Sequence, residues 1–117
     1  PLQAMLNSPA PPTSAPHAVE LYDKALQSYP THPQAHVWCA QAARLCANDL
    51  PTALAYSTKS IELRKSSDGY YVLAHILLLL GHTKEGHMAA VTAYEIDSWR
   101  PKVQYVLRLA LMALVDP

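Results

Sequence analysis

Three stretches of this chain can be laid over one another at a spacing of 34 residues. Gln34 falls on Asp68 and Lys102, Val37 on Tyr71 and Tyr105, Gln41 on His75 and Leu109, and Arg44 on Leu78 and Met112. The stretches between them repeat less evenly. Ala18 to Ala53 is 35 residues and Ala53 to Gly86 is 33, so the connections absorb one residue either way. A period of this length is the mark of one supersecondary unit used repeatedly, each copy stacking on its neighbours to bury an apolar face it cannot bury alone.

The units read as helices. From Ala18 onward proline stands only at boundaries, at Pro30, Pro33, Pro51 and Pro101, where it removes a backbone donor and holds the preceding residue out of the helical region. No strand-like alternation stands out. Helix-start signals fall at His32–Pro33, Asp49 ahead of Pro51, Ser66 or Ser67, Thr83, and Ser98 ahead of Pro101. The sequence therefore predicts about six helices, over residues 17–29, 34–47, 51–64, 68–80, 83–96 and 101–115. Their short connections make consecutive helices antiparallel neighbours. Ahead of them, residues 1–16 read as a Pro-rich segment and linker, with "SPAPPTSAP" at 8–16. Leu2, Met5 and Leu6 share one helical face, so the first few residues are expected to dock on the body. The folded domain is expected over 17–117.

Two helices per 34-residue unit resemble the tetratricopeptide repeat, and the residues carry the resemblance further. The family's first helix has a large residue, then a leucine followed by a small residue, then another large residue. Tyr70, Leu73, Ala74 and Leu77 fit, and Gly81 closes the helix. The second helix has a small residue, an aromatic four on, a small residue three further and a proline five after that. Ala18, Tyr22, Ala25 and Pro30 fit each step, while Gly86, Ala90, Ala93 and Ala53, Ser57, Ser60 fit the small positions. Small residues let helices cross closely, and large ones fill the gaps between turns. The resemblance covers about residues 18–115. Three departures stand out. The first unit shows only its second helix. Trp38, two places after His36, could shift its helix by two residues. Arg108 stands where a small residue is expected.

The resemblance implies an all-α, antiparallel helix-pair array wound as a right-handed superhelix, whose first helices line a concave groove that binds a peptide or helix of another protein. Steps of three, seven and ten residues put the aligned set on one helix face. In family terms these are groove positions: Gln34, Val37, Gln41 and Arg44, then Asp68, Tyr71, His75 and Leu78, then Lys102, Tyr105, Leu109 and Met112. One subclass grips the C-terminal carboxylate of heat-shock chaperones with Lys, Asn and Arg from successive first helices. Val37, Gln41, Tyr71 and His75 hold the corresponding places here, so that clamp is not assembled. Arg44 by itself reads as a solvated charge.

Other chemistry is disfavoured. Three glycines leave no phosphate-cradling loop. A net charge of zero, with both signs interspersed, makes no basic stripe for nucleic acid. Cys39 and Cys46 are seven residues apart, neither a CxxC motif nor a disulfide framework, so a reducing, cytoplasmic setting is expected. No metal site or other cofactor is expected, because close ligand pairs are missing. The apolar run from Tyr70 stops at Gly81, short of the about 20 residues a membrane span needs. His75 sits two turns from Asp68, too far for a direct hydrogen bond along one helix, and reads as a groove residue without a catalytic role. The first residue is Pro1, so the chain is expected to be a piece of something longer. Residues 103–115 have almost no polar face, so that end is expected to be covered, by further repeats, a partner or a second copy. The expected function is that of a non-enzymatic interaction module. The alternatives are a structural, oligomerising piece held by its last helix, and a docking domain of a multidomain enzyme.

Overall fold

The computed structural model describes residues 18–45 and 48–115, with side chains over the same span except those of 18, 19, 21 and 22. The linker 1–16, the docking of Leu2–Leu6, the packing of Tyr22 and the state of Cys46 lie outside the described residues. Six helices are present among those described: α1 (Ala18–Ser28), α2 (Pro33–Leu45), α3 (Leu50–Leu63), α4 (Ser67–Leu79), α5 (Thr83–Ile96) and α6 (Pro101–Val115). No strand occurs among the described residues. The chain divides into two compact halves, Pro1–Arg64 and Lys65–Pro117.

At three of the predicted starts, capping side chains open the helices within a residue of where the sequence placed them. The His32 ring accepts a hydrogen bond from the Gln34 N–H at 3.1 Å, capping α2 ahead of Pro33. The Asp49 carboxylate accepts from the Thr52 N–H at 3.2 Å and from the Thr52 hydroxyl at 2.7 Å, opening α3 with Pro51 in its first turn. The Ser66 hydroxyl accepts from the Gly69 N–H at 3.1 Å and opens α4. At the far end of α4, Gly81 takes φ +86°. The His82 N–H bonds to the Leu77 carbonyl and the Gly81 N–H to the Leu78 carbonyl. This pairing closes a helix only when the residue at the glycine position is left-handed.

In the N-terminal half, α2 packs on both α1 and α3. Its core holds Ala25, Ala35, Trp38, Cys39 and Ala42, with Leu26, Tyr29 and Tyr56 against it. The Tyr56 hydroxyl donates to an Asp23 carboxylate oxygen at 3.2 Å, joining α3 to α1. Ala53, Ser57 and Ser60 are buried, as their small-residue positions require. The serine hydroxyls donate back to the Leu54 and Ser57 carbonyls, so burial leaves neither unsatisfied. In the C-terminal half, α5 packs on α4 and α6, and α6 also packs on α4. Ala74, Ala89, Ala90, Val106 and Ala110 form that core.

The structure resolves two of the departures. Trp38 brings no slip: its equivalent one period on, Val72, is buried too, and so are both Ala40 and Ala74. Arg108 brings none either. Val103, Val106 and Ala110 are buried, as are their equivalents Gly69, Val72 and Ile76. Arg108 itself, equivalent to the buried Ala74, is exposed. Ala74 is enclosed with Ala89 and Ala90 of the helix that follows it. No described helix follows α6, so a long cation is tolerated there.

Candidate functional site

In the C-terminal half, α4 and α6 pack on each other. Of the predicted stripe positions, Tyr71, His75 and Leu78 on α4 and Leu109 on α6 are half-buried, and Lys102, Tyr105 and Met112 on α6 are exposed. Tyr71 and Leu78 rest on the alanine–valine core between the helices, which fixes where their outward edges stand. The Tyr71 and His75 rings lie 6.2 Å apart, tilted by 48°. Tyr105 is 48% exposed and Met112 66%. The predicted positions on the two helices are thus half-buried or exposed rings and apolar chains, with a thioether at Met112 and a cation at Lys102. Tyrosine and methionine suit such a surface, since each offers apolar area while tolerating water or an irregular partner.

The spacing of the two helices is set at one end by a polar network. The buried Ser67 hydroxyl donates to Asp97 at 2.6 Å and accepts from Arg100 at 3.1 Å. Arg100 also pairs with Asp68 at 2.9 Å and stands 4.0 Å from Asp97. The starts of α4 and α6 and the end of α5 are thereby clasped together. Asp68, a stripe position in the sequence, is committed to Arg100. The sequence carries little sign of this clasp. It occurs once rather than once per period, and its members are brought together only by the fold.

The stripe on α2 is different. Gln34 and Arg44 are half-buried, and Val37 and Gln41 are only 3% and 6% exposed. Arg44 is not a solitary solvated charge: its Nε and Nη2 donate to Gln41 Oε1 at 3.1 and 2.7 Å. The α2 stripe is thus closed, whereas the stripe of α4 and α6 is partly open. Its neighbour His36 is also buried, and hydrogen-bonds through Nε2 to the Pro30 carbonyl at 3.0 Å.

Little here favours bond-making chemistry. The Cys39 thiol is pushed up to about 12 by burial, with the Asp23 charge adding to the shift, which leaves it a poor nucleophile at neutral pH. The Tyr56 hydroxyl is likewise pushed up to about 12, first by burial and then by the charge and hydrogen bond of Asp23. Among the described residues, no three His, Cys, Asp or Glu side chains are grouped to hold a metal ion. No described helix is long and apolar enough to cross a membrane.

Solved structures share this arrangement of helices. The first tetratricopeptide-repeat (TPR) domain of human RPAP3, determined by NMR, superposes with a TM-score of 0.75 at 17% identity, over 84% of this chain and 77% of that one. The chain has the tetratricopeptide-repeat fold. The first TPR of Spaghetti (RPAP3), bound to the HSP90 peptide SRMEEVD, gives the same TM-score at 18% identity, over 85% of this chain and 79% of that one. At this identity the likeness is one of fold. No family model matches the sequence, and no curated protein matches it.

Proposed function

We propose that this chain is a protein-interaction module, without catalysis of its own, that takes a peptide or helix of another protein on the stripe formed by α4 and α6. The observation that carries this reading is the half-buried Tyr71–His75 ring pair on α4, 6.2 Å apart, on a helix that packs on α6, where Tyr105 and Lys102 are exposed. A TPR neighbour of the same fold holds an HSP90 peptide, which supports a peptide as the kind of ligand. The acidic character of that peptide does not carry over. Val37, Gln41, Tyr71 and His75 stand where a carboxylate clamp would need cations and amides, and two of the four are buried. The ligand that suits the rings, Leu109 and Met112 presents an apolar or aromatic side chain.

The test is Tyr71→Ala with Tyr105→Ala, read by capture of partners from a lysate and mapping of the bound peptide. Central aromatic anchors each contribute about 2 kcal/mol or more, so losing both lowers affinity by at least about tenfold. Capture unchanged in the double variant, with the fold intact by circular dichroism, sinks the reading. A second reading is assembly through α6, favoured by the exposure of Leu111, Met112, Leu114 and Val115 along that helix.

A further inference from the structure

The pair α4 and α5 carries an apolar groove. Tyr70, Leu73 and Leu77 of α4 and Met88 and Ala89 of α5 line it, and Glu85 is the one charged residue among its walls. At about 100° per residue, Tyr70, Leu73 and Leu77 turn away from the side of α4 that carries Tyr71, His75 and Leu78, so this surface is separate from the stripe. Its volume of about 300 Å³ is at the small end of ligand pockets, roughly 300–1,000 Å³. Met88 is 68% exposed, so the groove is open to water and suits the edge of a helix better than an enclosed small molecule.

We propose that this groove receives α6 of a second copy of the chain. The proposal rests on the second reading above, assembly through α6, and names the surface that receives the helix. On α6, Val103, Val106 and Ala110 are buried, while Arg108, Leu111, Met112 and Val115 stand on the opposite side, three and four residues apart, and are all exposed. From Arg108 to Val115 the helix rises about 10.5 Å, as α4 does from Tyr70 to Leu77. Each surface holds its charge at one end. Arg108 begins the α6 stripe, and Glu85 begins the α5 wall of the groove. An α6 laid parallel to α5 of the other copy sets Arg108 beside Glu85 and its three apolar side chains over the rest of the groove. Glu85 meets the His82 ring at 3.2 Å, yet its side chain is 64% exposed, so the carboxylate is accessible to a cation. Charge also selects the groove over another α6. That helix carries Lys102 and Arg108 and no acidic residue, so two α6 faces laid together oppose cation to cation, which costs affinity. Because the two surfaces differ, the contact is head-to-tail, and association continues past the dimer unless a ring closes.

The test is a charge exchange on the full chain, read by sedimentation at low salt. Glu85→Arg and Arg108→Glu, both at exposed positions, should each weaken self-association about tenfold, since each sets like charges against each other across the contact. An equal mixture of the two variants should restore it, because every contact between unlike copies again pairs opposite charges. Glu20→Arg makes the same change of net charge on α1 and should leave association as in the natural chain. A natural chain that stays monomeric at every concentration overturns assembly through α6 and this proposal with it. Association that Glu85→Arg leaves intact overturns the groove alone and returns the contact to α6 against α6 or another surface. A loss as large with Glu20→Arg, or a mixture that fails to recover, also overturns the proposal.

Discussion

Gly86 has no room for a methyl group. A Cβ built there would stand 2.9 Å from both Cγ and Cδ2 of Leu78 and 3.3 Å from the Leu78 backbone nitrogen. A branch point and a main-chain atom cannot swing aside as the end of a flexible side chain can. Overpacking of this kind costs about 1–3 kcal/mol, against about 1 kcal/mol gained by replacing glycine within a helix. Gly86→Ala is therefore expected to lose up to about 2 kcal/mol in chemical denaturation, although helix propensity alone forecasts a gain. Asp49 carries a second prediction. Its hydrogen bonds to the side chain and then the backbone of Thr52 hold the carboxylate below its ordinary value of 3.8. A carboxylate so depressed adds stability above its unfolded value and surrenders it as the pH falls through that value and below. Asp49→Asn keeps a capping oxygen but does not titrate. Denaturation midpoints taken at about pH 6 and about pH 3 should fall further for the natural chain than for the variant. Equal losses would mean that Asp49 is not part of the acid response.

Helices could be read from the sequence because their signals are local: a proline, a capping side chain, a glycine where the backbone turns left-handed. What ties helices together is less legible. Arg100 reads as an ordinary charge before Pro101, yet in the fold it meets Ser67 and Asp68 at the start of α4 and Asp97 at the end of α5. Arg100→Gln leaves the buried Ser67 hydroxyl with a weaker partner and sets the Asp68 and Asp97 charges near each other without a cation. Hydrogen bonds to charged groups contribute about 1.5–3 kcal/mol, and the partial exposure of this cluster reduces that. A loss of about 1–2 kcal/mol is expected, together with a weaker dependence of stability on salt than in the natural chain. Because the clasp sets the distance between α4 and α6, the signals of Tyr71 and Tyr105 should also shift in heteronuclear NMR spectra. Tyrosine signals that stay in place would show that core packing alone positions the stripe.

At the scale of the whole molecule, period and helix order were legible, and the open surface was only partly so. The sequence assigned equivalent stripe positions to α2, α4 and α6, and equivalence in sequence is not equivalence in burial. Whether Val37 or Tyr71 faces water depends on what lies over its helix, which no residue on that helix records. The exposed face of α6 poses the same question in reverse. Leu111, Met112 and Leu114 are 47%, 66% and 41% exposed, and Val115 is 84% exposed, a run of apolar side chains on a helix with no described neighbour on that side. The chain has a formal net charge of zero and a pI near 7.5, so near neutral pH no long-range repulsion keeps two such faces apart. Sedimentation at pH 7.5, the pI, should therefore show concentration-dependent self-association. Met112→Glu with Val115→Glu should abolish it while leaving thermal stability nearly unchanged, because substitutions at exposed positions usually shift folding by no more than about 0.5 kcal/mol. A monomer at every concentration would rule out self-association through α6, leaving cover by a partner or by further repeats. Association that survives both glutamates would place the contact on another surface.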